Sequence, residues 1–338
     1  MQPVGEASGW VGRIYRRTDA ALSYGLRPRE AAVVRGMVLG DRSRIPDDLQ
    51  DAFQRSGITH ILAISGQHVA VLAAILYFAL RALAVPLLVQ GPAVLALVWL
   101  YIAVAGAPPS AVRAGVVATF VLLAPVFGRQ LSPLHFMTTM LAVVLAYNPG
   151  LIYSVGFQLS VAAVAGILLL REPFRALIQA TALRPFGPRA KTVADLLAVS
   201  LAAQVATAPI IASTFGQVSI IGVLTNLFAV PLSGPILTLG MLGAFAGNVL
   251  PALAYPINAS NGFLVSVLER VAEAFSSLPF AAVTTPDIGP LLMVLLYAGC
   301  VPAAVSRHVF PKERWNTWAA IAVAWSGLWL ALVSLPGG

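Results

Sequence analysis

The residues with the most chemical potential lie in one short run, Thr59-His60-Ile61-Leu62-Ala63-Ile64-Ser65-Gly66-Gln67-His68. If the run is helical, His60, Ile64 and His68 share a face and Ser65 neighbours His68. Two histidines at that spacing lie about 12 Å apart along a helix axis, too far to chelate one metal ion. A Ser65–His68 nucleophile and base is chemically conceivable, yet no Asp or Glu in the run could orient the base. Two readings stay open for these side chains: a hydrogen-bonded contact between helices, or the lining of a polar path. The run lacks the first glycine of G-x-S-x-G, the chain has no H-E-x-x-H, and Gly187-Pro188-Arg189-Ala190-Lys191-Thr192 lacks the glycine that precedes lysine in a Walker A loop. The single cysteine, Cys300, excludes a disulfide framework and a Cys-based zinc site. No cofactor and no catalytic residue are expected.

Other polar groups stand in apolar surroundings. Arg113 follows the turn Pro108-Pro109-Ser110 and either snorkels to headgroups or contacts an anion. Gln158 sits among Ser154 and Ser160, Gln204 shares a stripe with Ser200 and Thr207, and Asn226 follows Gly216-Gln217-Val218-Ser219 and Thr225. Uncharged amides and hydroxyls of this kind favour a wet seam, suited to a charged polymer that must slide without being trapped. No acid is expected to be buried within the core apolar runs, since Asp195 sits at a helix start near the cytoplasmic interface, which argues against a proton-coupled carrier.

The elements that must position these groups follow from composition. The chain has 338 residues, 59% hydrophobic and 10% charged, with a mean hydropathy of +0.85. A soluble domain carries about 25% charge, so an all-α polytopic membrane protein is expected. Apolar runs at 60–83, 92–107, 110–127, 133–147, 151–170, 193–212, 218–232, 235–250, 288–306 and 316–334 give about ten transmembrane helices, some short or broken. The chain divides into an extracytoplasmic or interfacial segment, 1–57, with amphipathic helices, and a multi-span region, 58–338, with an interfacial helix at about 260–278. Alternating the spans gathers ten Arg and Lys residues, including Arg171, Arg175 and Lys191, on one side against Glu172, Asp195 and Glu313. The segment before residue 58 has nine positive residues and seven acids. The positive-inside rule then places the 171–191 loop in the cytoplasm and both termini outside.

Several runs resemble the ComEC family of bacterial competence proteins: Gly36-Met37-Val38-Leu39-Gly40-Asp41-Arg42; Phe53-Gln54-Arg55-Ser56-Gly57-Ile58 through His68-Val69; Pro109-Ser110-Ala111-Val112-Arg113-Ala114; Gly156-Phe157-Gln158-Leu159-Ser160; and Phe215-Gly216-Gln217-Val218-Ser219 through Pro231-Leu232. The likeness covers about residues 30–250, in the family's order, and Gln67 stands where the family usually has leucine.

The resemblance implies a bacterial inner-membrane channel that imports single-stranded DNA during natural transformation. It also implies partners: a DNA receptor outside, a helicase-type motor in the cytoplasm, and membrane lipid around the spans. The family's OB-like and metallo-β-lactamase-like nuclease domains have no counterpart motifs here, so either this chain is a fragment or split product, or separate polypeptides are expected to supply them. On this reading His60, Ser65, Gln67, His68, Arg113, Gln158, Gln204 and Asn226 line the DNA path, and Arg35, Asp41, Arg42, Arg44 and Arg55 form its outer mouth. The competing expectation is a small-solute or lipid transporter with the same polar seam.

Overall fold

The computed structural model describes residues 9–123, 133–181 and 190–285. Within them the chain forms α1 (Trp10–Ser23), α2 (Pro28–Leu39), α3 (Asp47–Arg55), α4 (Gly66–Ala82), α5 (Leu87–Val104), α6 (Pro109–Leu123), α7 (Pro133–Tyr147), α8 (Val155–Ala180), α9 (Lys191–Phe215), α10 (Gly222–Val249) and α11 (Pro251–Ser276). A short antiparallel ladder pairs β1 (Gln217–Ser219) with β2 (Ala282–Thr284), with Val218 opposite Val283. The all-α class expected from composition is what these residues adopt.

Local chemistry explains the short helices. Pro28 occupies the first turn of α2, the Glu30 side chain accepts the Arg27 N–H at 3.1 Å, and Gly40 ends the helix at φ 75°, a left-handed conformation that favours glycine. Asp47 and Asp48 open α3 and Arg55 closes it, the order that complements the helix dipole.

The longer helices carry marks of a lipid environment. Among the described helices, α9 and α10 are long and apolar enough to cross a membrane, and α4 through α7 supply shorter apolar segments. Phe78, Leu83, Leu88, Phe245 and Val249 are exposed, a cost in water but not against acyl chains. Prolines lie inside α5, α8, α9, α10 and α11. Helices in membranes tolerate such residues because neighbouring side chains re-satisfy the freed backbone groups.

Three expectations need correction. The runs 218–232 and 235–250 are one helix, α10, because Pro231 and Pro235 each cost a ladder bond without ending it. One crossing there instead of two changes the parity of the alternation, so the argument that put both termini outside no longer follows. The run at 60–83 is also not one helix. Thr59–Leu62 is a 3-10 turn and α4 starts only at Gly66, so His60 and His68 do not share a helical face. The interfacial helix at 260–278 is the second half of α11. The spans at 288–306 and 316–334, and Cys300, lie outside the described residues.

The chain divides into two compact units. Unit 1 takes in the described residues up to Phe53, Ile58–Pro149 and Ala229–Glu273; unit 2 takes in Gln54–Gly57, Gly150–Phe228 and the residues from Ala274. The core of unit 1 is Leu22, Val33, Met37, Leu49, Phe53, Leu62, Ile236 and Leu268, all essentially inaccessible to solvent. Glycines on α10 let its neighbours approach: Gly240 faces Val34 and Val38, Gly243 faces Asn258, and Gly247 faces Ala21. In unit 2, Gly166 of α8 lies directly on Ala202 and Ala206 of α9, the small-residue packing that brings membrane helices close.

One guanidinium organises the surface where α2, α3 and the charged second half of α11 meet. Arg29 lies 2.9 Å from Asp48, 2.5 Å from Glu273 and 3.7 Å from Glu269. Burial pushes the Glu269 carboxyl up, Arg29 opposes this, and Glu30, Glu273 and Asp48 add to the rise, bringing it to about 7 from an ordinary 4.5. A raised folded value means that the protonated form is the better tolerated one. Stability from this group is therefore complete below 4.5 and is lost as pH rises through 7. The thermal unfolding midpoint of the wild type is expected to fall by a few degrees, about 3 °C or more, between about pH 5 and about pH 8 relative to Glu269→Gln. A difference between the two proteins that does not change with pH would contradict this account.

Candidate functional site

The two glycine- and histidine-bearing runs meet in unit 1. After the 3-10 turn the chain extends through Ala63 and Ser65, and α4 starts with the polar Gln67 and His68 in its first turn. Its first N–H groups have no partners within the helix. Ser65 and His68 answer this with a reciprocal capping box: the Ser65 side chain accepts the His68 backbone N–H, and His68 Nδ1 accepts the Ser65 N–H at 3.1 Å. His68 Nε2 donates to the Met37 carbonyl of α2 at 2.5 Å. A carbonyl only accepts, so the proton sits on Nε2 and Nδ1 is the acceptor. His68 is 2% exposed and both ring nitrogens are engaged.

The Gly36–Arg42 run forms the other half of this joint. Gly36 lies against Ile45, and the left-handed Gly40 lies against Ile64. Arg42 Nε donates to the Leu62 carbonyl at 3.2 Å, and Tyr101 donates its hydroxyl to the Val38 carbonyl at 2.7 Å. Burial lowers the Arg42 guanidinium from its ordinary value. Asp41 accepts from Ser43 Oγ at 2.6 Å, from the Ser43 N–H at 3.0 Å and from Tyr15 at 2.9 Å. Burial works against its charge, but these donors outweigh burial and hold the carboxyl below its ordinary 3.8. The two runs thus fasten α4 to α2 through backbone carbonyls.

The remaining candidates fall into distinct places. Gln67 is exposed on the first turn of α4 and bonds Ser233 of α10, Nε2 to Oγ, at 3.2 Å. His60 is exposed on the 3-10 turn. Arg113 is 3% exposed near the start of α6, so its side chain is enclosed by protein rather than stretched along lipid. Arg35 is also 3% exposed and is ion-paired with Asp19, inside unit 1 rather than on an open face; Arg44 is exposed.

In unit 2, Gln204 Nε2 donates to the Ser219 carbonyl, and Ser219 Oγ donates to the carbonyl of Arg55, itself exposed, at 2.8 Å. Gly57, at φ 78°, sits against Gly222 and Ser219 where a Cβ would clash. Gln158 donates to the Ile152 carbonyl at 2.9 Å, and Asn226 is half-buried with Oδ1 unpaired among the described residues. The structure therefore joins Ser65, Gln67 and His68 at one helix start, and Gln204 to the turn at 216–222. Sequence reasoning missed Ser233, Tyr101 and the Met37 carbonyl; the only available signal for the last was the Gly36-x-x-x-Gly40 spacing.

The family model described as "Competence protein" matches residues 37–310. ComE operon protein 3 of Bacillus subtilis is 30% identical over 280 residues, 80% of this chain and 33% of that protein. Recombination protein 2 of Haemophilus influenzae is 27% identical over 206 residues, 58% of this chain and 26% of that protein. Uncharacterized protein YcaI of Escherichia coli is 27% identical over 220 residues, 60% and 27% of the two chains. The chain spans a third or less of the length of these relatives. No solved structure matches it.

The His68 joint has a measurable strength. His68→Ala removes the acceptor for the Ser65 N–H and strands the buried Met37 carbonyl, and is expected to cost about 2–4 kcal/mol. Ser65→Ala loses only the cap and should cost about 1 kcal/mol. Thermal unfolding of the detergent-purified variants measures both, and equal costs would show that the imidazole bridge to α2 adds nothing.

Proposed function

This chain belongs to the competence protein family, and from that premise we propose that it acts in DNA uptake as the membrane channel that admits a single strand during natural transformation. The observation that carries this reading is the setting of uncharged amides and hydroxyls on apolar, proline-bearing helices whose outward side chains suit lipid. A polyanion moving past Gln67, Gln158, Gln204 and Asn226 finds weak, exchangeable hydrogen bonds and no fixed counter-charge dense enough to hold it. Ser65 and His68 frame the path by fixing the start of α4, and His60 borders it from the preceding turn. Arg113 supplies one enclosed positive charge for backbone phosphates.

At the mouth, Arg44 and Arg55 draw the strand in electrostatically, while Arg35, Asp41 and Arg42 hold the supporting turn in shape. The protein is placed in the bacterial inner membrane as a multi-pass chain of about ten or fewer spans, with the basic 171–191 loop in the cytoplasm. No bound cofactor or catalytic group is assigned to it. Its partners on this reading are a DNA receptor outside and a helicase-type motor in the cytoplasm.

Entry of fluorescent DNA into cells tests the reading. Arg113→Ala and Gln158→Ala are each expected to lower internalised DNA about tenfold or more at normal protein level, the loss of one charge-assisted contact or of one amide rung. A small-solute or lipid transporter predicts unchanged DNA entry in both variants, and that result would retire the channel proposal.

A further inference from the structure

Gln67 and Ser233 touch between α4 and α10, and the two ends of the contact are held in unlike ways. On the α4 side the backbone is fixed, because the next residue, His68, is bonded to Met37 and to Ser65. On the α10 side Ser233 is 3% exposed and lies between Pro231 and Pro235. Neither proline has an N–H, so the carbonyls of Leu227 and Pro231 lose their helical donors. Ser233 Oγ donates to the Val230 carbonyl at 2.8 Å, and Thr238 Oγ1 donates to the Gly234 carbonyl at 2.8 Å, back-bonding that favours bends. The turn of α10 that carries Ser233 thus lacks two of the ladder hydrogen bonds of a regular helix.

The contact is also slight. Ser233 has one hydroxyl proton; with that proton on Val230, Oγ accepts from Gln67 Nε2 at 3.2 Å, and Gln67 Oε1 competes for the proton from 3.3 Å. No charge is involved, so exchanging this bond for one to another polar group costs little. Open space borders it on both helices. A Cβ at Gly66 would meet nothing within 4 Å, and one at Gly234 would meet only Gln67 Nε2, at 3.5 Å.

We propose that the Gln67–Ser233 pair is a latch: when made, it holds the proline-flanked stretch of α10 against the first turn of α4, and when broken, it lets that stretch swing aside while α4 stays anchored. A nucleotide strand opens it by offering Gln67 replacement partners, phosphodiester oxygens for Nε2 and base amino groups for Oε1. Only the identity of this opening ligand rests on the DNA-channel reading; the latch itself rests on the contact and on its unequal supports.

Amide hydrogen exchange on the purified full chain tests it. Gln67→Ala and Ser233→Ala should each speed exchange of the amides at 232–239 about fivefold, the effect of losing one neutral hydrogen bond. The double variant should go no further, and the amides of 66–72 should keep their wild-type rates. Ser233→Ala also removes the bond to Val230, whereas Gln67→Ala alters an exposed side chain and leaves that bond intact, so agreement between the two isolates the pair. If Ser233→Ala does not fold, Gln67→Ala alone decides. Unchanged exchange at 232–239, equal acceleration in α4, or additive effects would overturn the latch. A short single-stranded oligonucleotide added to the wild type should speed exchange of the same stretch. Variants that behave as stated beside an oligonucleotide without effect would leave the latch standing and remove DNA as its ligand.

Discussion

A helix that begins among apolar side chains has to find acceptors for backbone N–H groups that no earlier turn can supply, and unit 1 is arranged around one such beginning. At Gly66 the chain turns from a 3-10 segment into α4. A single imidazole meets two needs there, accepting the Ser65 N–H on one nitrogen and donating to the Met37 carbonyl from the other. Because both ring nitrogens are committed, α4 is fixed in place relative to α2, and the glycines of the Gly36–Gly40 run leave room for the side chains of Ile45, Leu62 and Ile64 that lead into α3 and α4. The adjacent Arg42–Leu62 and Tyr101–Val38 bonds use the same device, a side-chain donor reaching a main-chain carbonyl.

That device recurs in the rest of the chain and changes how its polar residues should be understood. Thr207 donates to Ala203, Thr225 to Ile221, Thr238 to Gly234 and Asn248 to Ala244, each within its own helix. Hydroxyls and amides on apolar helices are therefore not all committed to a seam; many satisfy backbone carbonyls locally, at no cost in inter-helix geometry. Gln67 and Gln204 differ from the three threonines in that their amides reach a different element, as the Asn248 amide also does by its second bond, to Thr18 of α1.

Much of the architecture was legible from the pattern of residues, and the exceptions have physical causes. The apolar runs located α6, α7 and α9 to within a few residues, but the start expected for α5 at residue 92 falls inside that helix, because Pro92 does not end it. The pattern failed too at Pro231 and Pro235, where two missing donors kink a ladder without stopping it, and at 60–65, where an apolar run disguised a break that only the Ser65–His68 cap reveals. At the site, the residue types that matter were singled out but their partners were not, since a carbonyl acceptor such as that of Met37 has no residue-type signature. Arg35 shows the converse: its charge looked available on paper and is in fact matched by Asp19 within the core.

The small β1–β2 ladder carries a consequence for biosynthesis. Its register joins Gln217 to Thr284 and Ser219 to Ala282, so everything between, including all of α10 and α11, leaves from and returns to one clasp. During synthesis the second strand follows directly behind α11, so the clasp can shut only once all of α10 and α11 has been made. Loop-closure entropy grows by about 0.6 kcal/mol per doubling of length, so fastening so large an excursion costs only about 2–3 kcal/mol more than fastening a tight hairpin. The clasp is completed by three residues translated after both helices.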